Sequence, residues 1–515
     1  MKDNKKSKGE VKSMKDTVAK FTKYMERINM FGQIGAIVSF DAETVAPEGG
    51  LAQRAKRASF FELEMHKLHT SKKMKKFLDE LAPHVKELDD ITKALYRIAK
   101  DEYNAKAKIP EELVEKYAAL TEEAHDVWRK AREASDFAKF APYLKRVVDA
   151  HKEMLEYRKD EIPKGGCLYD ILLNDYEKDM TVKKYDKFFE DLKDTVVPLI
   201  KKVAASKKKI DTSFKSEAVS IPMQEKISEL LAKKVGYDLN RGYITASTHP
   251  FCNSPDSTDV RITTRYDEKD FMSSMYSVLH ECGHAIYEQG MGEDIAGSLL
   301  GDGTSMGIHE SQSRFYENVI GRSLEFWQEL TPDLKELLPK EFEDVTPEMF
   351  FEAANESKPS FIRVEADELT YSLHVIIRYE IEKLLFNGDC KIEDLPGIWN
   401  TKYQEYLGIT PPSDAIGVLQ DIHWSWGLFG YFPTYALGSA YAAQFLHYMS
   451  QDLNVKKLVK KGDLSKINKW LNEKIHSHGS KYTPEKLMKK SFGEQLDAKY
   501  YAAYLTEKYS ALYEL

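Results

Sequence analysis

Apolar positions recur at helical spacing along most of the chain. Val18, Phe21, Met25 and Ile28 fall at i, i+3, i+7 and i+10, which predicts a first amphipathic helix. From Ala52 to Glu161 the pattern predicts helix after helix. Pro110 suits a first helical turn, and Leu113, Tyr117, Leu120, Ala124 and Val127 form one stripe behind it. Pro47-Glu48-Gly49-Gly50 and Gly165-Gly166 punctuate the series, and Pro222 opens the run that holds Ile227, Leu230 and Leu231. The texture changes at Gly242. Tyr243 to Phe251 and Thr258 to Tyr266 are richer in Thr and β-branched residues, and Val260, Ile262 and Thr264 alternate with Asp259, Arg261 and Thr263. This predicts a short hairpin with Cys252 to Ser257 as its loop, and an edge able to take a peptide as an added strand. The patterning as a whole predicts a mostly α fold.

Directly after that hairpin, Met275, Leu279 and Ile286 continue a helical stripe through His280-Glu281-Cys282-Gly283-His284. Two histidines four apart share one helix face, so both imidazoles can reach one ion from the same side. Glu281 then stands beside that ion without ligating it, placed to take a proton from water. Two imidazoles with such a carboxylate form the H-E-x-x-H arrangement of zinc peptidases. A third ligand is required. Gly290 to Gly307 reads as a Gly-rich loop, and Glu310 lies in the first turn of the helix that resumes at Ile308; His309 and Glu317 are alternatives. Further on, Ile362 to Leu385 reads as one helix carrying Arg363. Taken from the residues alone, Arg363 is a structural ion-pair partner, and His423 beside Trp424 and Trp426 is a satisfied core histidine.

Composition narrows the field. In 515 residues, 42% hydrophobic and 31% charged, the net charge is −8 and acidic and basic residues are interspersed. That balance argues against a nucleic-acid partner or an anionic membrane surface. The Lys-, Ser- and Gly-rich start lacks an apolar core, so residues 1–15 read as a flexible tail rather than a signal peptide, and 16–515 as one catalytic domain without a linker. Cys167, Cys252, Cys282 and Cys390 are far apart and unpaired in pattern, which predicts a reducing, cytoplasmic setting. The most apolar stretch, Tyr431 to Met449, is broken by Pro433, Gly438, Gln444 and His447, so no membrane span is predicted.

Several short patterns together resemble one family, the thermostable carboxypeptidases of Taq type. His249-Pro250-Phe251 is similar to its H-P-F, Asp259 to Thr263 to D-x-R-x-T, and His280 to His284 with Tyr287-Glu288-Gln289 to its H-E-x-G-H segment. His309-Glu310-Ser311 resembles H-E-S, Ile362 to Asp367 resembles I-R-x-x-A-D, and Gly417 to Trp424 resembles G-x-x-Q-D-x-H-W. Asp41 to Thr44 and Asp175-Tyr176-Glu177 agree as well. Phe40 departs, standing where the family usually has Trp.

The resemblance implies a single helical body with a deep groove, a small β-sheet beside the metal site, and a homodimer. It implies His280, His284 and Glu310 as ligands of one divalent ion, Zn²⁺ or alternatively Co²⁺ or Mn²⁺, and Glu281 as general base. An enzyme that trims peptide substrates from the C-terminus needs a cation for the free α-carboxylate. Arg363 and Arg261 are the candidates, with His249, His423 and Tyr435 as further hydrogen-bond donors to substrate. The zinc motif alone does not say which bond is cut, so an endopeptidase or aminopeptidase is the nearest alternative. A non-catalytic peptide binder is less consistent with the motif, because structural zinc usually takes four protein ligands.

Overall fold

Phe21, Met25 and Ile28 are buried on the Lys2–Thr44 helix, against Met74 and Leu81 of the Lys72–Leu81 helix and Ala99 of the Asp90–Ala107 helix. Burying each large apolar side chain there contributes about 1.5–3 kcal/mol, so the stripe read from the sequence is what joins these helices. The structure is a computed structural model that describes residues 2–515, with side chains from residue 14 onward except those of residues 48, 51, 52 and 55. The first helix begins at Lys2, so its backbone runs through the segment that the sequence assigned to a tail. The side chains of that segment before residue 14 lie outside the described residues.

The chain divides into two compact units, each built from three segments rather than separated by a linker. The first comprises Met1–Lys108, Lys215–Thr304 and Gly462–Ser491; the second comprises Ile109–Phe214, Ser305–Lys461 and Phe492–Leu515. In the first unit a three-stranded sheet has the order β1-β3-β2, with β1 at Gly242–Ala246, β2 at Cys252–Asp256 and β3 at Asp259–Thr264. β1 pairs with β3 in parallel, and β2 pairs with it antiparallel. The predicted hairpin is therefore corrected: β2 is made from the segment read as a loop. Asn253 and Pro255 are poor strand formers, yet an edge strand tolerates them because Pro needs no ladder partner on its open side, and the register shifts between Asn253 and Asp256. The Phe271–Gln289 helix packs on β2, on β3 and on the Ile221–Val235 helix, and Asp270 caps it by accepting from Ser273 N at 3.2 Å.

The second unit is helical. Trp327 and Phe350 stack with centroids 4.7 Å apart, and Gly388 and Gly408, at φ 79° and 71°, end two of its helices in the left-handed conformation that glycine takes without strain. The Met306–Arg314 helix lies against the Pro433–Asp452 helix, so closely at Gly438 that a Cβ there would stand 2.4 Å from Glu310 Cγ. A π-helical turn, Phe315–Ile320, follows the first of these. The single helix read over 362–385 is broken: Arg363–Glu365 is one 3₁₀ turn, and the helix proper is Glu368–Asn387. Asp367 causes the break, because its Oδ1 accepts from Leu369 N at 3.0 Å and Thr370 N at 3.1 Å as an N-cap. The mostly α fold with one small sheet is as expected, and among the described residues no helix is long and apolar enough to cross a membrane.

Candidate active site

In the first unit, helical periodicity places His280 and His284 side by side. Their ring centroids are 5.0 Å apart, both are half-buried, and their ligand nitrogens lie within 4.8 Å of one another. Glu281 is buried on the same helix. Burial, with the Glu281 charge adding to it, pushes the Cys282 thiol up, so this cysteine is a packing residue. Arg261, on β3, is committed locally: its Nε donates to Asp259 Oδ1 at 2.7 Å and its Nη2 to Asp259 Oδ2 at 2.6 Å. Its guanidinium also lies 5.1 Å over the ring of Phe40, so the departing residue still supplies an aromatic platform. A cavity of about 490 Å³ beside this pair is lined by Phe40, Asp41, Arg241, Tyr243, Asp259 and Arg261. His249 is exposed on the connection between β1 and β2.

In the second unit, Glu310 sits on the helix that Ser305 caps by accepting from Ile308 N at 3.1 Å. Glu310 Oε1 accepts from Arg314 Nε at 2.7 Å, and Oε2 from Ser313 Oγ at 3.1 Å. Glu317 is engaged on both oxygens, accepting from Arg314 Nη1 and from Arg322 Nη2, each at 3.2 Å. Arg314 lies 4.8 Å over the ring of Tyr371, whose hydroxyl accepts from Arg363 Nη1 at 3.3 Å. A continuous chain of contacts therefore runs from Glu310 to Arg363.

Arg363, only 5% exposed, anchors a buried charge cluster. Its Nε and Nη2 donate to Asp421 Oδ1 at 3.0 and 2.9 Å, while Arg378 Nε donates to Asp421 Oδ2 at 2.7 Å. Burial disfavours the Asp421 charge, but the two guanidiniums outweigh it and hold this carboxyl well below the usual range. The Arg363 guanidinium lies 5.0 Å over Tyr435, whose hydroxyl is 3.5 Å from His423 Nε2. Burial, reinforced by the neighbouring Arg363 and Arg378 and opposed by Asp421, pushes His423 down to about 4, so the ring is neutral near pH 7. Arg363, His423 and Tyr435 are thus brought together. The sequence reading assigned no role to Arg378, Asp421, Arg314 or Tyr371. For Arg314 the i, i+4 spacing from Glu310 was a usable signal; for Arg378 nothing local marks it.

The family model described as Carboxypeptidase Taq (M32) metallopeptidase matches residues 20–509. The chain belongs to this family. Carboxypeptidase 1 of Bacillus subtilis is 44% identical over 497 residues, 96% of this chain and 98% of that protein. Thermostable carboxypeptidase 1 of Thermus thermophilus is 37% identical over 488 residues, covering 93% of this chain and 96% of its own. The crystal structure of an M32 carboxypeptidase from Deinococcus radiodurans R1 matches with a TM-score of 0.92 at 33% identity, over 97% of this chain and all of that one. The chain is therefore a metallocarboxypeptidase, a hydrolase that depends on a divalent ion and releases C-terminal residues from peptides.

Proposed function

We propose that the divalent ion is zinc, that His280, His284 and Glu310 hold it, that Glu281 is the general base, and that Arg363 recognises the free α-carboxylate of the peptide. The observation carrying this is the pair of half-buried imidazoles on one helix face, with ligand nitrogens within 4.8 Å and the Glu281 carboxylate one residue away. The donor set fits the ion. Two imidazoles with one carboxylate suit zinc in a catalytic site, and cobalt or manganese is the alternative occupant. Glu317 is a weaker third ligand than Glu310, because both its oxygens are already taken by guanidiniums.

A bound divalent ion supplies Lewis acidity that brings the pKa of water toward about 7. Glu281 takes the proton of that water as it attacks the last peptide carbonyl, and later delivers it to the leaving amine. Arg363 is favoured over Arg261 as the carboxylate cation, since Asp259 pairs with Arg261 one to one whereas Arg363 shares Asp421 with Arg378. The hydroxyl of Tyr435 and the neutral ring of His423, which stand with Arg363, are candidate donors to the substrate, and His249 is a further one by family likeness. Four free cysteines support a reducing, cytoplasmic setting, and the same family likeness supports a homodimer.

The test is Glu281→Gln. The variant is expected to keep one equivalent of ion by elemental analysis while turnover of an N-blocked peptide falls roughly 10²–10⁴-fold. An ion-loaded variant hydrolysing at the parental rate refutes the base assignment.

A further inference from the structure

Arg363 and Arg378 share a single acid. Asp421 gives Oδ1 to Arg363 and Oδ2 to Arg378, so two buried guanidiniums face one carboxylate. Gln420 ties the same two arginines together, its Oε1 accepting from the backbone N of Arg363 at 2.9 Å and from Arg378 Nη2 at 2.8 Å. Arg378 is wholly buried, stacked 4.5 Å over Trp399, and its Nη1 donates to the carbonyl of His374 at 2.6 Å. Among the described residues no second acid bonds to either guanidinium. Burial lowers the pKa of both His374 and His423, leaving them neutral. Glu382, the next acid with reach to Arg378, accepts from Tyr169, Trp424 and Gly430 N, and burial pushes it up to about 7. Buried charge is tolerated when paired, so two guanidiniums on one directly bonded carboxylate leave this cluster able to take a further negative charge.

The geometry of the fork says where that charge enters. A guanidinium offers a side edge, Nε with Nη2, and an end edge, Nη1 with Nη2. Asp421 takes the side edge of Arg363, and Tyr371 takes one Nη1 hydrogen. Among the described residues each Nη keeps one hydrogen without an acceptor, and a carboxylate on the end edge would take one from each. Arg261 is different, because Asp259 pairs with it alone among the described residues and neutralises it.

We propose that Asp421 and Arg378 are positioning residues for substrate recognition: Asp421 fixes the side edge of Arg363 so that its end edge receives the α-carboxylate, and Arg378 supplies the positive charge that the arriving carboxylate balances. This rests on the reading of Arg363 as the carboxylate cation. Neither residue is required to touch the substrate. Their effect is on the affinity for a free C-terminus rather than on the chemistry at the peptide bond.

The experiment compares an N-blocked tripeptide with a free C-terminus, read as KM and kcat, with the same peptide amidated, read as its inhibition constant, on the metal-loaded enzyme. Arg378→Gln and Asp421→Asn are each expected to raise KM for the acid tenfold or more, to leave the inhibition constant of the amide within threefold, and to change kcat less than KM. Arg378→Lys, which keeps the charge, is expected to stay within threefold of the parent on both. A purely structural role predicts lower melting temperature with an unchanged acid-to-amide ratio. That ratio, unchanged in folded Arg378→Gln while Arg363→Met abolishes it, overturns the inference alone. An unchanged ratio in Arg363→Met overturns the underlying reading and the inference with it. Should Asp421→Asn fail to fold with two cations left unpaired, the contrast between Arg378→Gln and Arg378→Lys decides.

Discussion

Burial decides what several titratable side chains of the second unit carry at neutral pH. His151 lies among Tyr117, Phe386 and Phe429, with Nδ1 2.8 Å from the Tyr117 hydroxyl, and burial pushes it down to about 4. Unfolded, the same ring titrates near 6.5, so between pH 6.5 and 4 the unfolded chain binds more protons than the folded one. Stability contributed by this neutral histidine is present above pH 6.5 and is lost as pH falls toward 4. From pH 7 to pH 5 the loss is about 2 kcal/mol by linkage. In His151→Phe the ring cannot titrate, and the Tyr117 hydroxyl loses its partner at every pH. Urea unfolding at both pH values is therefore expected to show the parent losing about 2 kcal/mol more than the variant on acidification. An equal loss in both proteins would remove His151 from the account. His423, displaced in the same direction, adds to the acid sensitivity of the parent.

At the scale of elements, the Glu310 carboxylate depends on how closely two helices approach. Gly438 lets the Pro433–Asp452 helix run against the Met306–Arg314 helix, and an added Cβ would stand 2.4 Å from Glu310 Cγ and 2.7 Å from its Cβ. Gly438→Ala must therefore displace Glu310 or part the helices, and overpacking of this kind costs roughly 1–3 kcal/mol. The expected outcome is a lower melting temperature together with weaker metal retention in a chelator titration; retention equal to the parent would mean that the helices part and leave the Glu310 carboxylate in place. The elements themselves were unevenly legible. The Phe271–Gln289 helix and its His280–His284 pair follow from spacing, because i and i+4 share a face in any helix. The hairpin was misread because β2 carries Asn and Pro at a sheet edge, where packing and β3 override propensity. The turn holding Arg363 was read as helix because the capping strength of Asp367 outweighs the apolar spacing around it.

For the molecule as a whole, a resident ion stabilises the folded chain by mass action, by about 4 kcal/mol when free ion exceeds its dissociation constant a thousandfold. Chelation is expected to lower the melting temperature and readdition to restore it. Glu281→Gln should keep this metal dependence and Glu310→Gln should lose most of it; the reverse order would exchange their proposed roles. What the sequence determined by itself is what short-range stereochemistry carries: the succession of helices and the paired imidazoles with their acid. Only the tertiary structure decided which charges meet. Arg363 and Asp421 are 58 residues apart and Arg378 and Asp421 are 43 apart, and no spacing along the chain says that one carboxylate will be shared between two guanidiniums. That pairing is set by burial, since a charge taken out of water must find its partner wherever the packed core places it.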